Sequence, residues 1–461
     1  MSTIETVPST PEKRHALVIG ASMGGLLAAR VLSDYFEQVT IIERDDLPTV
    51  PEARKGVPQG NHVHLLMIKG ADIISDLFPG LFDELQADGS LEVSPTQDFH
   101  WFHFGCWKQQ FPGELRAHSQ SRPLLEYHIR RRVSNLGNVR ILDGCEVRGL
   151  QSTDDSTAIT GVRIVQRDNG QTEECLEAQL VIDASGRGSQ TPRWLGELGY
   201  PAIEETTVKV DVGYATRLYR RPEKNHAWKM LGIYPWPLER KRVGYCFSLE
   251  DNMWIVTLSG YHGDHPPADE AGYLEFARNL AQPDIYEAIK DAEPLSPIAI
   301  HKFPANRHRH YERLSRLPEG LIVLGDAFCS LNPVYGQGMT LAALEAATLR
   351  DSLSRAHGDL AGFPLSFQKK LARVIQIPWM LTTSEDFRYP ETEGKRPFGL
   401  PVLQAYTQRV SWLTAKDPLA TKTFYEVLNM LGSPLELFDL RILRRAVVLQ
   451  APPASATTLS S

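Results

Sequence analysis

The chain has 461 residues, 42% hydrophobic and 23% charged, as expected of a globular protein with two or three lobes. Its 34 glycines and 31 prolines match average usage, which excludes collagen-like and low-complexity chains. A net charge of −7 has the wrong sign for gripping nucleic acid, and no nucleic-acid partner is expected.

Five cysteines (Cys106, Cys145, Cys175, Cys246, Cys329) lie far apart and form no CxxC pair. An odd, sparse set fits a reducing, cytoplasmic setting and indicates no zinc knuckle. Residues 1–13, broken by Pro8 and Pro11, read as a disordered leader without the apolar core of a signal peptide. No stretch reaches the ~20 apolar residues of a spanning helix. Membrane association is expected to be peripheral if it occurs.

His15-Ala-Leu-Val-Ile19 reads as a buried parallel strand, Gly20 to Gly25 as a turn, Leu26 to Ser33 as a helix, and Val39 to Glu43 as a second strand. Together they make one βαβ unit. In Gly20-x-Ser22-x-Gly24-Gly25, Gly20 permits a tight turn and Gly25 permits close helix–strand packing. The free N–H groups of the helix start suit a pyrophosphate. Ser22 replaces the usual second glycine but is small and can donate a hydrogen bond. Glu43, 18 residues beyond Gly25 and next to Arg44, is placed to bind a ribose diol. The dinucleotide, NAD or FAD, stays open at this point.

The region from Leu91 to Phe111 is aromatic-rich and reads as strands. A helix is expected from Arg122 to Val133, and strands at Val162–Val165 and Leu180–Ile182. Arg242–Leu249 and Met253–Gly260 flank Glu250-Asp-Asn252 as a hairpin. Leu321–Leu324 is a further buried strand, and Met339 to Ala356 a helix. After Phe367 the chain reads as helical, broken near Pro378, Pro390 and Pro401. Residues 451–461 read as a disordered tail.

Gly325-Asp326 ends a strand, and Asn332-Pro333-Val-Tyr-Gly336-Gln-Gly338-Met339 opens a helix. Gly336 and Gly338 free the backbone there, and the helix start can stabilise negative charge. This stretch resembles the GD motif of the flavoprotein monooxygenases related to p-hydroxybenzoate hydroxylase. Asp183-Ala-Ser-Gly-Arg-Gly-Ser189 with Arg193 resembles their DG motif, with alanine in place of its glycine. The stretch Gly56–His64 is similar to one in the branch containing squalene and polyether-polyketide epoxidases.

The resemblance implies an α/β fold: a Rossmann-like FAD-binding domain (14–90, 112–205 and 301–366), an inserted antiparallel-sheet substrate domain (91–111 and 206–300), and a helical C-terminal region (367–450). It implies that FAD is held by Gly20, Ser22, Gly24, Gly25, Glu43, Arg44, Arg122, Asp326, Pro333, Gly336, Gly338 and Met339. Asp326 would hold the ribityl or ribose part, and Pro333 with Gly336–Gly338 would approach the flavin ring. The implied reaction inserts one oxygen atom from O2, through a flavin C4a-hydroperoxide, into an apolar secondary-metabolite-like substrate by epoxidation or hydroxylation. Electrons would come from NAD(P)H or a partner flavin reductase. Epoxidation requires no side-chain acid or base, and none is assigned.

Trp101, Phe104, Trp107, Trp228, Tyr234, Trp236 and Trp254 are candidate pocket walls, each competing with a plain core role. The pair His62 and His64 has no carboxylate or cysteine beside it, and no metal is expected. The basic runs 130–132, 239–242 and 307–310 read as solvated faces. Alternatives are a reductase or dehydrogenase of the same fold, or a halogenase, although Tyr234-Pro-Trp236-Pro237 matches a WxWxIP stretch poorly. A non-catalytic flavoprotein is a third reading. On it the stretch Leu400–Leu431, with Leu403, Tyr406, Val410, Trp412 and Leu413, would rest on a membrane surface.

Overall fold

The computed structural model describes residues 14–167, 172–223, 226–236 and 240–449. The expected disordered ends, together with Pro237 and Glu239, lie outside the described residues. The fold is mixed α/β. His15–Ile19 forms as expected and is the central strand of a five-stranded parallel sheet. Its order is Leu321–Val323, Leu180–Asp183, His15–Ile19, Gln38–Ile42 and Val139–Leu142. Four of the five residues are buried in each of His15–Ile19 and Gln38–Ile42, as both-face coverage by helices requires. Those helices include Met23–Leu32, Arg122–Ser134 and Gly338–Ala356.

A second, eight-stranded sheet runs in the order Cys329–Ser330, Ala299–Arg309, Glu205–Arg220, Met253–Tyr261, Arg242–Leu249, Met230–Ile233, Phe99–His103 and Cys106–Trp107. All its pairs are antiparallel except the last two long strands, which run parallel. The expected hairpin forms, with Asp251 and Asn252 at φ 55° and 54°. Both are residue types that tolerate the left-handed region.

Strand alternation decides which side chains this sheet aims where. Even-numbered Trp254, Cys246 and Phe102 point to one face and form a core with Tyr273, Phe276 and Ile285. Odd-numbered Tyr245, Phe247 and Trp101 point to the other face, which is turned toward the nucleotide-type sheet.

Three sequence expectations are corrected. The helix Phe363–Asp386 runs straight through Pro378. Proline leaves the Val374 carbonyl without its helical partner, but Phe367, Leu371 and Ile375 are buried against the main core and hold the axis. Pro401 starts the helix Leu400–Leu413 instead of breaking one, because its missing N–H costs nothing in the first turn. The stretch Leu400–Leu431 is two helices, the second being Pro418–Leu428, capped by Asp417. Val410 and Leu413 are buried with Val427, Leu437 and Ile442.

The basic runs are also not plain solvated faces. Arg130 is buried against the Pro48 carbonyl, Arg309 is buried on the Ala327 carbonyl, and Arg242 pairs with Asp264. No helix among the described residues is long and apolar enough to cross a membrane.

A buried polar network ties the second sheet, the loop at 332–336 and the long helix Phe363–Asp386 together. Asp386 is fully buried. It accepts from Asn306 Nδ2 at 2.7 Å, Asn332 Nδ2 at 2.8 Å and the Tyr335 hydroxyl at 3.0 Å. Asn332 Oδ1 in turn accepts from Tyr214 and from the Val334 N–H. Burial pushes the Asp386 carboxyl up to about 7, against the hydrogen bonds that favour its ionised form.

The folded protein therefore holds a proton that the unfolded chain has already lost. Stability assigned to Asp386 is fully present below the ordinary carboxyl value and is lost as pH rises through about 7. Asp386→Asn should remove this loss, and should cost about 1–3 kcal/mol by setting an amide donor against neighbouring donors. Urea unfolding of both proteins at pH 5 and pH 8 checks it. Equal stability loss in both across that window would refute the assignment.

Candidate functional site

A cavity of about 1180 Å³ lies between the two sheets and reaches from the Gly20 turn to the C-terminal helices. Of the twelve residues expected at the cofactor, eleven line it: Gly20, Ser22, Gly24, Glu43, Arg44, Arg122, Asp326, Pro333, Gly336, Gly338 and Met339. Gly25 stands behind the wall. A Cβ there would fall 1.8 Å from the Gly20 carbonyl oxygen, so the helix packs on its strand at a distance only glycine permits. Gly20 itself has φ +102°, and a Cβ on it would approach the Ala184 carbonyl oxygen to 2.7 Å.

No side chain caps the Met23–Leu32 helix. Ser22, at the N-cap, accepts instead from Arg122 Nη2 at 2.7 Å. The first-turn amides and the positive dipole end therefore face the cavity.

Glu43 ends its strand buried, with Oε2 accepting from the Ala21 N–H at 2.8 Å and Oε1 from the Asp45 N–H at 3.1 Å. Arg54, which the sequence did not single out, joins it. Its Nη1 lies 3.0 Å from both Glu43 and Asp45, and its Nε lies 3.2 Å from Glu126. Arg122, at the start of its helix, contacts Glu126 at 3.5 Å and His64 Nε2 at 3.1 Å.

The tautomer of His64 follows from its partners. Its Nδ1 faces the His62 carbonyl at 2.9 Å and must donate there, which leaves Nε2 as the acceptor for Arg122. Burial, reinforced by Arg122, pushes His64 down to about 3, so the ring is neutral. The Gly56–His64 stretch is thus a wall of the cavity and a brace for Arg122.

Arg54 Nη2 and Arg122 Nε are buried and have no hydrogen-bond partner among the described residues. Asp326, one residue beyond the strand–turn Leu324-Gly325, makes no hydrogen bond or ion pair with the described residues. Its side chain is exposed to the cavity that it lines. Desolvation raises its pKa, opposed by Arg122, Arg187 and Arg307.

Gly336 holds φ +67°, with Leu65 Cβ 2.8 Å from where its own Cβ would be. Gly338 has open space around it, and the 19-residue helix it begins carries no side-chain cap. Glu345, also missed in the sequence, lines the cavity behind Asp326. Its Oε2 accepts from the Gly325 N–H at 2.6 Å, and burial pushes its carboxyl up to about 8.

Asp183 of the DG-like segment faces away from the cavity. Its carboxylate accepts from the side chains of Ser185, Ser189 and Thr191 and so shapes its own turn. Arg187 and Arg193 of the same segment do line the cavity.

The far end of the cavity is apolar. Trp101, Phe104 and Tyr234 of the expected walls line it. Trp107, Trp228, Trp236 and Trp254 instead belong to the core on the opposite face of the sheet. Met230, Tyr245 and Phe247 complete the sheet wall, and Phe424, Tyr425 and Phe438 of the C-terminal region close it. That region is fixed by Trp412 Nε1 donating to the Phe104 carbonyl at 2.9 Å. Within this end, His62 Nδ1 meets the Thr216 hydroxyl at 2.7 Å and is pushed down to about 4, chiefly by burial.

These residues fit an FAD. Two open helix starts and two arginines with unmatched buried donors suit its pyrophosphate. A carboxylate with no hydrogen-bond partner among the described residues suits its hydroxyls. Two glycine bends leave room for backbone approach.

No protein-family model matches the chain. It is 34% identical over 449 residues to Protein Rv3254 of Mycobacterium tuberculosis, covering 94% of this chain and 93% of that protein. It is 24% identical over 340 residues to Squalene epoxidase 3 of Arabidopsis thaliana, covering 73% of this chain and 59% of that protein.

Among solved structures, the flavin-dependent brominase Bmp2 aligns with TM-score 0.66 at 14% identity, over 94% of this chain and 98% of that one. The probable FAD-dependent monooxygenase pqsL of Pseudomonas aeruginosa aligns with TM-score 0.58 at 18% identity, over 80% and 96%. The chain belongs to the family of Protein Rv3254 and carries the fold of the FAD-dependent monooxygenase superfamily that its glycine turns and GD-like segment resembled.

Proposed function

We propose that the protein is an FAD-dependent monooxygenase that inserts one oxygen atom from O2 into an apolar, secondary-metabolite-like substrate. The observation that carries this is one continuous cavity with unmatched buried arginine donors at one end and an aromatic sheet face at the other. FAD supplies the oxygen-activating redox chemistry when bound. The remaining tasks fall to the chain.

Gly20, Ser22 and Gly24 offer the first helix start to the pyrophosphate, with Arg54 and Arg122 supplying charge. Glu43, Arg44 and Asp326 are the partners for sugar hydroxyls and the groups beside them. Pro333, Gly336, Gly338 and Met339 present backbone to the ring, and the helix dipole behind Gly338 stabilises negative charge there. The aromatic residues exclude water and orient the substrate.

Epoxidation is the favoured reaction. His62, at about 4, is a weak base, and burial pushes the Tyr234 and Tyr245 hydroxyls well up. The face is therefore poorly equipped to deprotonate a phenol. The electron donor is NAD(P)H or a separate flavin reductase. The five-stranded sheet is the sole all-parallel sheet among the described residues, so a second nucleotide-type lobe for the donor is not seen there. A halogenase reading draws on the fold likeness to the flavin-dependent brominase Bmp2 and the flavin-dependent halogenase CmlS, and Trp236 of its expected stretch packs with the core on the opposite face of the sheet.

Asp326→Ala and Glu43→Arg should each give protein poor in flavin, with FAD affinity lowered by about tenfold or more. The ratio of visible flavin absorbance to protein checks this, and full yellow occupancy in both variants would contradict the site. Met230→Trp, which fills the apolar end, should raise KM for substrate at unchanged flavin content. With reductant and a polyene substrate, the wild-type protein should consume O2 and form a product carrying heavy-isotope oxygen from labelled O2. A halide-dependent product, or turnover without O2 uptake, would overturn the proposal.

A further inference from the structure

Away from the cavity, the run at 307–310 does something the charge pattern did not suggest. His308 and His310 lie two apart, and Glu312, on the single turn Tyr311–Arg313, returns beneath them. One ligand atom from each of the three lies within 4.8 Å of the others. His308 is 8% exposed and His310 5%. His308 Nε2 and Glu312 Oε2 are both buried without a hydrogen-bond partner among the described residues, and they face each other at 3.9 Å.

His310 is held between the Thr206 hydroxyl and Glu312 Oε1, each at 2.7 Å. A recess of about 240 Å³ opens on the cluster, bounded by Ile375, Trp379 and Arg313. Arg313, the neighbouring cation, is paired with Glu204 and also lies 3.8 Å from Glu312 Oε1.

A ring nitrogen and a carboxylate oxygen left without hydrogen bonds opposite each other are unfavourable to bury. Two imidazoles and one carboxylate are also the ligand types a borderline divalent ion takes. The hard ions Ca²⁺ and Mg²⁺ prefer oxygen ligands throughout. Tetrahedral ligands at ~2.0–2.1 Å from one ion stand roughly 3.3 Å apart. The observed 3.9 Å closes to this with about half an ångström of side-chain movement, while His310 Nδ1 exchanges its Glu312 contact for the ion and Nε2 keeps the Thr206 hydroxyl.

We infer that His308, His310 and Glu312 bind one divalent transition-metal ion of the Zn²⁺ type, at a site separate from the cofactor cavity. Three protein ligands leave a position for water, supplied through the recess. An ion there pins the end of the strand Ala299–Arg309 to the turn that follows. His308 is paired in the sheet with Cys329, and Cys329 lines the cavity wall.

The test uses the full chain without an affinity tag, stripped with chelator, dialysed against Zn²⁺ alone and assayed for bound zinc by elemental analysis. One zinc per chain is expected. His308→Gln and Glu312→Gln should each weaken binding by about tenfold or more, while flavin content and its visible spectrum stay unchanged. No zinc above the buffer blank would overturn the inference. So would undiminished binding in a folded His308→Gln protein, which would place the ion elsewhere. Should one variant fail to fold, the other and the wild-type stoichiometry still decide. Loss of flavin together with zinc would show that the two sites are not separate.

Discussion

Two arginines set the terms for this molecule. Arg54 and Arg122 cannot shed their charge, and both are buried in one cavity wall with a donor each left unmatched. Glu43, Asp45 and Glu126 neutralise them in part. A buried charge is tolerated only when paired and hydrogen-bonded. The chain meets that demand short of completion, and both arginines line the cavity in which an anionic, acceptor-rich ligand would lie. The neutral His64 brace and the uncapped helix starts serve the same end.

The cavity joins two architectures with different physics. On the parallel sheet, glycine turns and helix dipoles make a polar groove. On the antiparallel sheet, period-2 alternation spends one face on a core with Tyr273 and Phe276 and leaves the other to form an apolar wall. The Asp386 network fastens the loop at 332–336 where the two meet. Its donors come from the second sheet and from that loop, so the loop is held by both halves.

Much of this was legible in the sequence, because the local signals agree with the fold. The βαβ unit, the hairpin at 250–252 and the helix from Gly338 formed within a few residues of where pattern placed them. Glycine positions with steric consequences, Gly20, Gly25 and Gly336, were readable from motif spacing. Arg54 was not, because its partners Glu43 and Glu126 are brought to it only by tertiary folding.

Residue type alone does not divide the aromatic residues between cavity wall and core; strand parity does. Trp254 and Tyr245 differ by an odd number of positions across a hairpin and face opposite ways. Pro378 misled for the opposite reason: local chemistry said break, and the buried residues on one helix face overrode it.

The most direct test of the account compares ligands that share a flavin ring and differ in phosphate. Calorimetric titration of the flavin-free protein with FAD, FMN and riboflavin isolates the contribution of the arginine-lined end. The account predicts FAD binding far tighter than riboflavin, with an advantage that shrinks as salt screens the charges. Equal affinity for FAD and riboflavin, or no uptake of either, would contradict it.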